Sequence, residues 1–402
     1  MTLALKRIAL AAAACSLTGM ASAQISGDTV KIGILTDMSG VYADIDGPGG
    51  VEAIRMAIAD KKGMVAGKKI ELLYADHQNK ADVAASKARE WLDTQGVDVL
   101  IAGTNSATSL AMMKVAAEKK KPIIVIGGGT ARVTNEDCTP YSIHYAYDTV
   151  SLANGTGSAV TKAGGKTWYF LTVDYTFGQS LQNDTAAVVT KSGGQVLGSV
   201  RHPLSANDFS SFLLQAQSSK AQILGLANAG GDTINAIKAA NEFGITKTMK
   251  LAGLLMFIND IHSLGLPLTQ GMYMTDSWYW NQSPEARAWS RRFFEKIKRM
   301  PSSIQAADYS AAMHFLNAVE AIKSDDADKV MAQMKAAPVN DFYTKGTIRK
   351  EDGRAIHDMV LLQVKTQQES TEPWDYFKVV ERIPGEQAFA KLADSKCPLV
   401  KK

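Results

Sequence analysis

"DMSGVYADIDGPGGVEA", residues 37–53, sets four glycines and a proline between an alternating apolar run, "VKIGIL", and a helically spaced one. A glycine-rich turn at that place lets backbone N–H groups crowd round a phosphate. The spacing here does not suit that task. Gly47, Gly49 and Gly50 do not form G-x-G-x-x-G at the tight strand-to-helix turn, and Val41 and Tyr42 after Gly40 would obstruct a pyrophosphate. "GGGT" at 127–130 lacks the spacing as well. Asp44 and Asp46 hint at a calcium loop, but no Glu stands at its twelfth position, so both read as turn residues before a helix beginning near Val51. The six histidines form no HExxH, and the chain has neither a G-x-S-x-G elbow nor a GKS or GKT loop. No catalytic residue, metal or cofactor is assigned. The sequence reads as a binding protein, with an exported α/β enzyme as the competing class.

Strand and helix alternate along the chain. Val30, Ile32 and Ile34 alternate as a strand, and Val51, Ile54 and Ile58 recur at helical spacing. "IELLYA", "VDVLIAG" and "PIIVIGGGT" continue the set, each separated by a helical stretch. The cycle restarts at "TWYFLTV" and runs through "QVLGSV", "QILGLA" and "MKLAGLL". Strands spaced by helices of this length imply parallel sheets covered on both faces. The fold class is therefore α/β, with two doubly wound parallel-sheet lobes. After residue 275 come helices near 284–300, 305–323 and 326–337, then strands near 342–349, 358–365 and 375–381. Such an ending suits a chain that recrosses between lobes, and no low-complexity linker separates them. Repeated crossing without a loose linker makes a hinge.

Residues 1–23 carry Lys6 and Arg7, an apolar stretch, and Ala21-Ser22-Ala23, the pattern of a signal peptide cleaved after Ala23. A lipoprotein reading around Cys15 is weaker, because Ala12 stands where Leu is usual. The formal charge of +4 falls to +2 without that leader, which gives no support for a nucleic-acid partner. Cys138 and Cys397 are the cysteines that remain. In an oxidising compartment they either form one disulfide or stay as two thiols.

Ligands of doubly wound sheets sit outside the carboxyl ends of the strands. In the first lobe those ends are Ser39 to Tyr42, Asn105-Ser106-Ala107 and Gly128-Gly129-Thr130. In the second they are Asp174 to Phe177, Asn228-Ala229 and Leu255-Met256-Phe257. The first set is rich in small residues, hydroxyls and amides, the second in aromatic and apolar groups.

At these residues the chain resembles the ABC-transporter substrate-binding proteins of the type I periplasmic class, in the leucine/isoleucine/valine-binding branch. The resemblance is carried by "VKIGILTDMSGVYADIDGPGGVEAIRMAIAD", "GVDVLIAGTNSATSLAMMKVA", "KPIIVIGGGT", "VDYTFGQ" and "NDFSSFLLQAQSSKAQILGLA", in that order. It implies two lobes joined by three crossovers, taken as 27–146 plus 276–355 and 147–275 plus 356–397. It also implies a periplasmic monomer that hands its ligand to an inner-membrane ABC permease. The loops bearing Ser106 and Thr130 match segments that hold a ligand carboxylate, and Phe177 falls where an aromatic residue meets the ligand. Helix capping by Ser106 and Thr130 is the plainer role for both.

The chain departs from the branch at one place. Amino-acid binders carry an acid after the strand matching "MKLAGLL", to pair with the α-ammonium, whereas Leu254 to Phe257 contain none. Burying an ammonium there without a counter-charge would cost several kcal/mol, unless Asp174 or Asp232 swings in. Tyr42, Tyr175, Phe177, Met256, Phe257, Trp278, Tyr279 and Trp280 offer an aromatic and thioether lining instead, with at most one of Trp278 and Trp280 facing the cleft. The expected ligand is a small carboxylate with an apolar, often aromatic, body. Branched-chain amino acids and amide or urea-type solutes are the alternative, and a sensory receptor domain is a further one.

Overall fold

The computed structural model describes residues 25–401 as an α/β protein with two parallel-sheet lobes. The leader expected over residues 1–23 and its cleavage site lie outside the described residues.

In the first lobe, strands β1 (Thr29–Thr36), β2 (Met64–Val65), β3 (Lys68–Asp76), β4 (Val99–Thr104), β5 (Ile123–Gly127) and β6 (Ser142–His144) form a sheet in the order β2-β3-β1-β4-β5-β6. All neighbours are parallel except β2, which pairs antiparallel with β3. Both faces are buried. Val30, Ile32 and Ile34 belong to one core and Leu35 to the other, with Leu100, Ala102 and Val125. Helix α1 (Gly47–Asp60) packs near β3, while α2 (Ala81–Thr94) and α3 (Ser106–Lys119) pack together over the second core. α1 starts at Gly47 rather than near Val51, because Pro48 stands in the first turn, where its missing N–H costs nothing.

The chain then enters the second lobe through α4 (Thr149–Leu152) and α5 (Ser158–Lys162). Strands β7 (Thr167–Val173), β8 (Gln195–His202), β9 (Ile223–Ala227) and β10 (Lys250–Gly253) form a parallel sheet ordered β10-β9-β7-β8. Its helices are α6 (Thr176–Lys191), α7 (Ser210–Ser218), α8 (Gly230–Glu242), α9 (Ile258–Leu264) and α10 (Leu266–Thr269). β11 (Tyr273–Asp276) is the last strand before the chain recrosses.

Helices α11 (Pro284–Ile297) and α12 (Ser303–Ile322) both pack on α1, and α13 (Ala327–Ala336) packs on α12. Strands β12 (Val339–Asn340), β13 (Lys345–Ile348) and β14 (Ala355–His357) make a small antiparallel sheet. β15 (Met359–Val364) then pairs with β11, and β16 (Phe377–Ile383) closes that sheet. β2, β6, β12 and β14 are not read from sequence, because two or three residues are too few to show alternation.

Arg354 holds the crossings together. Its guanidinium is fully buried and donates to the carbonyls of Tyr145 (2.9 Å), Tyr147 (3.1 Å) and Ala355 (2.9 Å), with Asp148 at 3.6 Å. The ring of Phe389 covers it at 4.3 Å. Burial pulls the guanidinium down to about 10, against the attraction of Asp148, so it stays a cation at any ordinary pH.

The tail beyond β16 also spans the hinge. In α14 (Gly385–Ala388) the carbonyl of Ala388 accepts from Asn154 Nδ2 at 2.9 Å, on the second lobe. Two residues on, the carbonyl of Ala390 accepts from Arg349 Nη1 at 2.7 Å. Cys397, placed with the second lobe in the sequence reading, ends against the first. It is disulfide-bonded to Cys138 across a sequence separation of 259.

Replacing Arg354 by Met should destabilise the protein by roughly 3–5 kcal/mol, the usual cost of breaking a buried charged pair. Denaturant titration at pH 7 measures it. A loss below about 1 kcal/mol would show that the carbonyls find other donors.

Candidate functional site

The two sheets present their strand carboxyl ends to one cleft. In the first lobe the strand order reverses between β1 and β4, which opens a crevice at their ends. Tyr42 and Ile45 enter it from the loop after β1, Thr104 and Asn105 from the end of β4, and Gly127 from β5. The second lobe reverses between β7 and β9 and supplies Tyr175, Phe177, Ala229 and Leu255. Tyr147, on the first crossing, makes the hinge-side wall. None of these side chains is charged.

The loop after β1 is shaped by a buried acid. Asp37 accepts from the N–H groups of Gly40 (2.7 Å) and Tyr42 (2.9 Å) and from Asn79 Nδ2 (2.6 Å). The curled loop meets the second lobe at three points. Tyr42 and Tyr175 share a hydroxyl hydrogen bond of 2.9 Å, Gly231 N–H donates to Val41 O at 2.9 Å, and Asn259 Nδ2 donates to Asp44 O at 3.2 Å. The approach needs glycine at 230: its φ is +56°, and a Cβ there would lie 2.3 Å from Val41 O. Thr130 Oγ1 and Ser180 Oγ, 2.8 Å apart, add a fourth contact across the cleft. With these contacts made, the cavity among the cleft residues is only about 10 Å³.

At the amino end of α3, Asn105 sits at φ +67° and its Oδ1 accepts from Ala107 N–H (2.9 Å) and Thr108 N–H (3.2 Å). The N–H groups of Ala107, a sequence candidate, and of Thr108 are thus already engaged by the cap. Ser106 Oγ accepts from Thr130 N–H at 3.1 Å, which ties the two loops into one wall. Gly129 lies beside Phe177 and Tyr147, where a Cβ would come within 3.2 Å of both rings.

Tyr42, Asn105, Phe177 and Ala229 therefore share one cleft, with Ser106, Gly129 and Thr130 beside it. The remaining sequence candidates lie elsewhere. Ser39 is on the surface, donating to Asp76 at 2.7 Å. Asp174 faces solvent and pairs with Arg201 at 3.2 Å. Asn228 is buried under the strand end, bonded to His202 and Thr233. A Cβ on Gly128 would point at Ser109. Met256 folds back over Gly253, and Trp278 packs against Trp289 and donates to Phe342 O. Trp280 points the other way, to Trp374 O, so neither indole reaches the cleft. Asp232 is held by the N–H groups of Ser205 and Ala206 and does not swing in. Thr104, Gly127 and Tyr147 were missed, because they lie inside a strand end or a crossing rather than in a visible loop.

Asp46 is no turn residue. It lies fully buried beneath the cleft floor, accepting from Thr36 Oγ1 at 2.5 Å, with Thr36 3.2 Å from Thr104. Opposite it stands Asp308 of α12, equally buried. Asp46 Oδ1 and both Asp308 oxygens have no other donor, and a Cβ on Gly50 would strike both carboxyls. Desolvation raises both, and the like charge raises Asp308 further, so the pair shares a proton. Burial also pushes Asp232 up to about 6, and Asp260 and Asp276 up to about 7.

A periplasmic binding protein family model matches residues 29–369. A solved periplasmic binding protein from Burkholderia mallei is 67% identical, with 93% of this chain and 100% of that one covered at a TM-score of 0.92. A branched chain amino acid ABC transporter periplasmic ligand-binding protein from Burkholderia xenovorans is 40% identical over 92% of this chain and all of its own, at 0.82. A solute binding protein from R. palustris solved with benzoate shares the fold at 20% identity and a TM-score of 0.80, over 89% of this chain and 97% of its own. Leu/Ile/Val-binding protein homolog 6 of Brucella melitensis is 26% identical over 256 residues, and the match spans 63% of each chain.

Burial lowers His77, His144, His314 and His357, which favours the fold as pH rises, and the buried acids act against them. Each acid is neutral in the fold above the pH at which it ionises in the unfolded chain, near 4. Their stabilising effect is complete below that pH and is lost as pH rises through their folded values, about 6 to 7 for Asp232, Asp260 and Asp276. The acids are therefore read by difference. Relative to wild type, the urea midpoint of Asp308→Asn should rise between pH 4 and pH 7. A constant difference would show that the pair contributes nothing to the dependence.

Proposed function

The chain belongs to the periplasmic binding protein family, and from that membership we propose that it captures a small organic monocarboxylate with an apolar, aromatic body and delivers it to an ABC importer. One observation carries the reading: the cleft wall holds no charged side chain, and the stretch Leu254 to Phe257, where the resemblance to amino-acid binders implies an acid, brings only Leu255 to it. An ammonium group placed there would lose its hydration without gaining a counter-charge. Asp174 and Asp232 are committed elsewhere.

The carboxylate is held from the first lobe. Ser106 Oγ, which accepts from the Thr130 N–H, stands at the amino end of α3, whose dipole favours an anion. Phe177, Tyr147 and Tyr175 then face the apolar body. The ligand enters when the lobes part about the crossings and the Tyr42–Tyr175 and Thr130–Ser180 pairs separate, because the space left with both made is too small for an aromatic ring. Binding, closure and handover to a membrane permease require no chemistry on the solute, in keeping with a binding protein rather than an enzyme. Export on a leader cleaved after Ala23, and action as a monomer, complete the reading.

A branched-chain amino acid is the second reading, favoured by the name of the 40% identical Burkholderia xenovorans protein. Thermal denaturation separates the two. Benzoate or 4-hydroxybenzoate at about 100 times its dissociation constant should stabilise the protein by about 2.7 kcal/mol, and leucine should not act at this cleft. Phe177→Ala should weaken the acid at least about tenfold, roughly 1.4 kcal/mol. Leu255→Asp should abolish acid binding by placing a like charge in the wall. Stabilisation by leucine that is lost in Phe177→Ala, with none by either acid, would overturn the proposal.

A further inference from the structure

A second cavity, of about 570 Å³, lies at the hinge. It shares no residue with the ligand cleft. Between the two stand the crossings and their aromatic layer. Tyr147 lines the cleft, Tyr145 follows on the same crossing, and Tyr343 stacks on Tyr145 at 6.0 Å and lines the hinge cavity.

The walls come from both lobes. On the first-lobe side are Glu285 in the opening turn of α11 and Lys345 at the start of β13. On the second-lobe side are Asp358 and Arg382. Arg382 is paired in register with Val360, and Asp358 is two residues from Val360, so all three side chains share one face of the β15–β16 ladder. Each wall thus presents one cation and one anion, and a third acid in the lining, Asp341, is committed to Ser310 Oγ and to the N–H groups of Tyr343 and Thr344. Among the described residues, none of these four groups is within ion-pairing distance of an opposite charge. Phe342 and Val360 supply an apolar floor between them.

We propose that this hinge cavity is a second ligand site, which takes a free α-amino acid as a zwitterion. Its carboxylate is held by Lys345 and Arg382, its ammonium by Glu285 and Asp358, and its side chain lies against Phe342 and Val360. This chemistry is the complement of the cleft's: four unpaired charges of both signs here, none there. An occupant touching both walls also fixes their separation. The cavity lies across the crossings from the cleft, so the rotation that opens the cleft narrows it. A bound zwitterion therefore opposes opening and tightens the cleft ligand's hold, and reciprocally. The coupling rests on the proposed function; the site itself does not.

Isothermal titration of the full-length protein with L-leucine tests the site. Wild type should bind one leucine, Arg382→Ala and Glu285→Ala should each weaken it at least about tenfold, and Phe177→Ala should leave it unchanged. Acetate and methylammonium, each half of the zwitterion's charge, should bind far more weakly. Benzoate affinity should rise at least about fivefold with saturating leucine in wild type and stay constant in Arg382→Ala. No leucine binding, or leucine binding lost in Phe177→Ala and kept in the two hinge variants, would overturn the site. Leucine bound at the hinge without effect on benzoate would overturn the coupling. If neither benzoate nor 4-hydroxybenzoate binds, the cleft reading fails while the leucine titration still decides the site.

Discussion

Taking a guanidinium out of water is costly, and a protein tolerates it only where its nitrogens find partners. Arg354 meets that condition with one backbone carbonyl for each of its three nitrogens, drawn from two crossings, with Asp148 beside it and Phe389 on its face. His357 adds a bond from the same strand to Tyr145 O at 3.1 Å. The crossings are thereby fixed to each other in register. Motion between the lobes is confined to rotation about them, without sliding. The cleft, whose walls come half from each lobe, depends on that restriction for its geometry on closing.

Closure is written into the loop that first suggested a phosphate cradle. Its glycines do not cradle an anion. Asp37 curls the loop so that Val41, Tyr42 and Asp44 reach the second lobe, where Gly230 leaves room for a carbonyl. The lip contributes contacts between lobes and one aromatic wall, while the α3 and Thr130 loops are tied to each other by the Thr130 N–H bond to Ser106 Oγ. The Thr130 loop adds a contact of its own across the cleft, to Ser180, so closure draws on both segments.

The sheets and long helices were legible because parallel strands buried on both faces read as apolar runs at regular spacing. The strand ends followed from them, and with them Tyr42, Asn105, Phe177 and Ala229. What the sequence could not show was direction. Ser39, Asp174 and Met256 sit at the expected chain positions, but their side chains turn to Asp76, to Arg201 and over Gly253. Trp278 looked like a cleft aromatic because it follows a strand, yet the crossing aims it at Trp289 and Phe342. The Asp46–Asp308 pair was illegible for another reason: its members are 262 positions apart and meet only when α12 packs on α1.

The disulfide from Cys138 to Cys397 encloses nearly everything between the first lobe's last loop and the end of the chain. The second lobe, the helices that return to the first, and the tail strap all lie inside that loop. The cross-link therefore closes a covalent ring round both lobes. A cut at an exposed turn inside that ring leaves the two pieces joined, and only reduction lets them part.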